Sequence, residues 1–131
     1  GWREAFVDVG PDGRLVEVLS VPFAPEPYGL PVEARIGARA PLVDRAAAFV
    51  EQARTLADRV LVFDYGVARS AMLAGRPWRD WLRTYRNNER GGHYLADPGT
   101  QDVTTDVPFD QLPDAEAIRT QAQFLQLHGI D

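Results

Sequence analysis

The chain has no cysteine and no lysine, a single methionine and only two histidines among its 131 residues. Without cysteine there is no disulfide, no thiolate metal site and no Cys nucleophile, a composition compatible with a cytoplasmic protein. His93 and His128 stand too far apart in sequence to make a metal pair, so no metal is assigned. No apolar run approaches the length of a membrane span, and no signal-peptide pattern opens the chain. Gly1-Trp2-Arg3 reads as a cut end rather than a natural start. Walker and GxGxxG phosphate loops are missing, as are internal repeats and low-complexity tracts.

What is present is a globular composition, 45% hydrophobic and 25% charged, sized for one domain at most. The net charge of −5 conceals an asymmetry. All fourteen cations are arginines, and six of them (Arg69, Arg76, Arg79, Arg83, Arg86, Arg90) fall in residues 69–90 against Asp80 and Glu89 alone. That segment carries +4 and the remainder −9. An acidic chain with one basic segment argues against a dedicated nucleic-acid binder and allows a local site for an anion or an acidic surface.

Loosely alternating residues 3–9 and 14–21 around Gly10-Pro11-Asp12-Gly13 predict a β-hairpin over 1–21. Half of the prolines (Pro22, Pro25, Pro27, Pro31, Pro41) then mark 22–41 as an irregular connector or lid. Residues 42–58 predict a helix whose stripe is Leu42, Ala46, Phe49, Val50, Ala53, Leu56 and Ala57. The unbroken apolar run Val60-Leu61-Val62-Phe63 predicts a fully buried strand over 60–64. A helix feeding such a strand is half of a βαβ unit, although the strand that should precede the helix is not evident.

Beyond Gly66, one helical turn is expected over 70–74, and 77–86 fits helical and strand spacing equally. A loop follows over 87–99, then a strand over 101–107, a short helix over 109–117 broken by Pro113, and a helix over 120–128 stopped by Gly129.

Three constellations carry candidate chemistry. Asp64-Tyr65-Gly66 sits where ligands bind in open α/β sheets, beyond the carboxyl end of a strand. The alternative is that Asp64 caps a turn and Tyr65 packs. Asp102 and Thr104 share a strand face as ligand contacts or simply as its solvated side. The arginines interleaved with Trp78, Trp81 and Tyr85 form either a phosphate or base-stacking patch or a solvated face beside core aromatics.

Four stretches in order, Asp64-Tyr65-Gly66, Leu82-Arg83-Thr84-Tyr85-Arg86, Pro98-Gly99-Thr100-Gln101-Asp102-Val103-Thr104 and Thr120-Gln121-Ala122-Gln123-Phe124-Leu125 with Gly129-Ile130, resemble the MidA family. These are S-adenosylmethionine-dependent methyltransferases that include the mitochondrial complex I assembly arginine methyltransferase. Arg83-Thr84-Tyr85-Arg86 and Glu89-Arg90-Gly91-Gly92-His93 are most similar to its actinobacterial branch. The resemblance spans nearly the whole chain.

It implies an α/β chain, part of a Rossmann-like class I methyltransferase three-layer fold with an N-terminal β-hairpin. The expected piece is the C-terminal portion of the catalytic domain, lacking the cofactor-binding half and its Gly-rich loop. Asp64, Tyr65 and Asp102 are implied as catalytic, Tyr85, Arg86, Thr104 and Gln121 as substrate-binding, and Gly66 as a cofactor contact. Asn88 and Asp106 stand where the family tends to have histidines, which removes any proton transfer those histidines perform.

Methylation of a protein arginine by the intact enzyme is the expected function, with the 131 residues alone inactive and not binding S-adenosylmethionine. A protein substrate and a homo-oligomer formed through an exposed sheet edge are the expected partners. A non-enzymatic domain binding an acidic protein or nucleic acid through residues 69–90 is the alternative, nucleic acid being the less expected of the two.

Overall fold

The structure is a computed structural model and describes residues 1–130. Strands β1 (Trp2–Val9) and β2 (Leu15–Phe23) form the antiparallel hairpin, with Phe6 opposite Val18 and Val9 opposite Leu15. Its loop closes through Gly13, whose φ of 76° lies in the left-handed region. The proline-rich connector is pinned to this hairpin at two points. The Trp2 indole Nε1 donates to the Pro31 carbonyl (2.7 Å), and Arg39 clasps Glu17 with both guanidinium nitrogens (2.5 and 2.6 Å).

Helix α1 (Asp44–Leu56) forms where the apolar periodicity places it, but its stripe is not buried: Phe49 is 70% and Leu56 80% exposed. Residues 60–64 correct the expectation of a buried strand. They make no ladder, and Leu61, Val62 and Phe63 are exposed. An apolar run becomes a buried strand only with strands beside it and layers over both faces. None flanks it among the described residues.

Pairing begins two residues later, where β3 (Gly66–Val67) runs parallel to β7 (Val107–Pro108). A Cβ on Gly66 would run into the Val107 carbonyl oxygen and the Phe109 ring, so glycine is required for the two strands to approach.

The packed part of the molecule follows. Helices α2 (Ser70–Ala74) and α3 (Trp78–Trp81) lead into a three-stranded antiparallel sheet in the order β5 (Glu89–Arg90), β4 (Leu82–Arg86), β6 (Asp102–Thr105). The ambiguity of 77–86 thus resolves into both structures, helix to Trp81 and strand from Leu82. Asn87 and Asn88, at φ 50° and 65°, make the two-residue turn between β4 and β5, which requires positive φ at both positions. Asn88 is therefore a turn residue.

Leu73, Ala74, Trp81 and Pro108 are buried with Ser70 and Thr84, and among the described residues only Leu30 joins them from elsewhere. Asp110 fastens this core. Its carboxylate accepts from the backbone N (2.9 Å) and hydroxyl (2.7 Å) of the fully buried Ser70. Gln111 Nε2 donates to Ser70 Oγ and to the Pro41 carbonyl, both at 2.9 Å. The expected helix over 109–117 is reduced to a 3-10 turn at Phe109–Gln111.

Helix α4 (Gln121–Leu127) is started by a capping box, Thr120 with Gln123, and stopped at Gly129 (φ 67°). The architecture is mixed α/β with small sheets of two, two and three strands. Its accessible surface is 9951 Å², against about 6,900 Å² for a compact monomer of this mass. The excess lies where apolar side chains have no cover: both faces of the hairpin, α1 and residues 60–65. No helix among the described residues is long and apolar enough to cross a membrane.

Candidate functional site

The antiparallel register of β4 with β5 and β6 decides which side chains share a face, because directly opposed residues project on the same side. Arg83 opposes Thr104, and Tyr85 opposes Asp102 on one side and Arg90 on the other. One face therefore carries Arg83, Tyr85, Arg90, Asp102 and Thr104. The other carries Leu82, Thr84, Val103 and Thr105. Thr84 is buried there, its hydroxyl donating to the Gly92 carbonyl at 2.7 Å.

Three of the candidate residues, Tyr85, Asp102 and Thr104, are thus brought together on an accessible polar face. Tyr85 is half-buried beneath the Arg90 guanidinium, 5.6 Å from its ring centroid, while Asp102 and Thr104 are exposed.

Arg86 is not part of that face. It points to the opposite side and donates to Thr100 Oγ1 (2.6 Å) and Asp97 (3.2 Å), tying the β4–β5 hairpin to the 97–100 turn. Asp106 forms an ion pair with Arg83 at 2.7 Å and lies 3.7 Å from Arg76. Two cations neutralise it, so it supports the sheet by holding Arg83 against the end of β6.

Asp64, Tyr65 and Gln121 make a second group. The Tyr65 carbonyl accepts from the Val107 amide (2.9 Å), Tyr65 as a residue is 83% exposed, and Asp64 accepts from the Tyr65 amide (2.7 Å). Gln121 opens α4, which meets this segment through an edge-on Phe63–Phe124 contact at 5.2 Å. Four residues of strand, about 13 Å, separate Asp102 from Asp106 near the Tyr65 junction. The two groups flank one surface rather than converge on one point.

Two clusters lay outside the candidates read from sequence. Gln101 Nε2 donates to the carbonyls of His93 and Ala96 (2.8 and 3.0 Å), and its Oε1 accepts from the Gly92 amide (3.2 Å), which fixes the loop beside the sheet. Its sequence signal was its place in the Pro98–Thr104 stretch, beside Asp102. Glu17, Arg39, Trp78 and Tyr94 come together from four separate segments. Arg39 reaches Tyr94 Oη (3.2 Å) and lies 5.4 Å from the Trp78 ring. The Arg39 hydrogen bond holds the Glu17 carboxyl below its ordinary range, and the same bond raises Arg39. No local pattern announces a pair 22 residues apart.

Against known proteins, the model of one protein family, described as "Putative S-adenosyl-L-methionine-dependent methyltransferase", matches residues 1–130. The chain belongs to this family. No curated protein and no solved structure matches it. Two open grooves lie on the surface, one of about 510 Å³ beside α4 and one of about 290 Å³ between Arg86, Arg90 and Gln101. Neither is lined by Asp64, Tyr65 or Asp102, and the bare face of Gly66 is filled by Val107 and Phe109.

Proposed function

We propose that this chain is the acceptor side of a methyltransferase that modifies an arginine nitrogen of a protein, in the MidA-like manner that the sequence motifs resemble. The observation that carries the reading is the row Tyr85–Asp102, with Thr104 on the same exposed face. A carboxylate takes a guanidinium through paired charge-assisted hydrogen bonds, which orients its nitrogens. A neighbouring phenol and hydroxyl complete a polar cradle for the bound acceptor. Methyl transfer asks mainly for positioning and charge compensation, and these groups supply both on the acceptor side.

In the intact enzyme, β3 and β7 belong to a larger parallel sheet of Rossmann type. The parallel β3–β7 pairing and the uncovered apolar faces of α1 and 60–65 support this. The family's cofactor lies against that part, and the 131 residues alone have negligible affinity for it. The free edges of the hairpin, with Phe6, Val7, Val18 and Leu19 exposed, also support self-association of the isolated chain. Light scattering that finds only monomer at tens of micromolar would remove that part of the proposal.

The test of function is transfer of a labelled methyl group from S-adenosylmethionine by the intact protein to arginine-containing polypeptides, with the modified atom located by mass spectrometry. Methylarginine is the expected product. Label on lysine, on a carboxylate or on a small molecule only would contradict it.

A further inference from the structure

Within the basic segment, the arginines divide by what they touch. Arg83 and Arg76 face Asp106, and Arg86 faces Asp97. Arg69, just before α2, has no carboxylate within ion-pair distance among the described residues, and neither do Arg79 and Arg90 beside the sheet. The last two are nevertheless held in place. The Arg79 guanidinium lies 4.6 Å from the Trp78 ring centroid and that of Arg90 5.6 Å from the Tyr85 ring, and Arg90 Nη2 donates to the Arg79 carbonyl (3.4 Å). Two exposed, adjacent, uncompensated cations have thus been ordered on aromatic rings, which lowers the entropic cost of using them to bind.

We propose that Arg79 and Arg90 dock the acidic flank of a protein segment whose arginine is presented to Asp102. The proposal rests on the acceptor reading above and adds the sequence context that the site selects. Arg90, Tyr85 and Asp102 lie in one row across three neighbouring strands, so Arg90 and Asp102 are about 10 Å apart. An extended segment covers that span in about three residues. The preferred substrate therefore carries carboxylates about three positions from its target arginine.

Charge favours such a partner over a polyanion. The chain as a whole is −5, so repulsion grows with the number of charges on the ligand and is larger for an extended phosphate backbone than for a segment with two carboxylates. Asp102, in the same row as Arg90 and Tyr85, interrupts any phosphate track that runs across this face from Arg90.

The test is fluorescence anisotropy with the 131-residue chain and a labelled, otherwise neutral decapeptide carrying one arginine and two glutamates three and four positions from it. Saturable binding is expected. It should weaken about tenfold when the glutamates become glutamines, and by about the same factor in the Arg79→Glu/Arg90→Glu chain, as two exposed ion pairs are lost or reversed. Arg35→Glu, an exposed change in the connector, should leave binding within twofold.

Circular dichroism checks that the double variant is folded; if it is not, Arg79→Gln/Arg90→Gln replaces it with the same expectation. Absent binding, indifference to the glutamates, indifference to the arginine pair, or tighter binding of a labelled oligothymidylate would each overturn the docking site. Replacing the peptide's arginine, or Asp102→Asn in the chain, reports on the acceptor reading separately. Docking can therefore survive a failure of that reading, and the reverse.

Discussion

Residues 42–65 hold fifteen apolar side chains in 24 positions and bury none of them, whereas residues 70–112 hold fifteen in 43 and contain six of the seven buried residues. The more apolar stretch is the more exposed. Burial follows from what surrounds a segment as much as from its own composition. Around Ser70 the chain supplies its own cover: Leu73 of α2, Trp81 of α3 and Pro108 are buried, and Asp110 and Gln111 hydrogen-bond to Ser70. Around Phe63 only one ring, Phe124, makes an aromatic contact. Residues 70–112 form a scaffold that positions a polar face, and residues 42–65 leave their apolar side chains uncovered.

The contrast can be broken most forcefully by equal deletions in the two stretches. Leu73→Ala, at a fully buried position, should cost about 2–5 kcal/mol in urea denaturation. Leu61→Ala, 58% exposed, should stay within about 0.5 kcal/mol. Similar losses at both sites would mean that 60–65 is part of the same core.

Gly66→Ala probes the seam between the stretches, where a Cβ meets the Val107 carbonyl oxygen. It should cost about 1–3 kcal/mol, and hydrogen exchange should show the Val107 amide losing protection while the β4–β6 amides keep theirs. Unchanged exchange at Val107 would remove β3 from the fold.

A smaller effect belongs to the Glu17–Arg39 clasp. The Glu17 carboxyl is lowered from 4.5, chiefly by its hydrogen bond from Arg39. Its contribution is therefore full above the ordinary glutamate range and is lost as pH falls through the lowered value. Both side chains are partly solvated, so the loss should be below about 1 kcal/mol. Denaturation midpoints measured from pH 6 to pH 3 should fall less steeply in Glu17→Gln than in the parent. Parallel curves would show that the pair is not formed.

The parts of the fold legible in sequence are those set by local rules. The hairpin followed from alternation around a Gly-containing loop, α1 from its 3.6-residue stripe and α4 from its apolar spacing and the Gly129 stop. Asp102 and Thr104 were legible as one strand face because period two leaves no choice. Val60-Leu61-Val62-Phe63 misled because an apolar run records what a segment requires and not whether the required neighbours are there. Arg86 and Tyr85, adjacent in sequence, were grouped as substrate contacts, although adjacency in a strand places them on opposite faces. The Glu17–Arg39 clasp and the Gln101 and Asp110–Ser70 networks depend on contacts between distant segments and carry no local signature.

The most direct test of the acceptor face is a pair of numbers from the intact enzyme carrying Asp102→Asn: kcat/KM for an arginine-containing protein substrate, and the dissociation constant for S-adenosylmethionine. Loss of a charged group that orients the acceptor should lower the first about 100-fold and leave the second within twofold. Unchanged kcat/KM, or a cofactor affinity that falls in step with it, would contradict the assignment of this face to the acceptor.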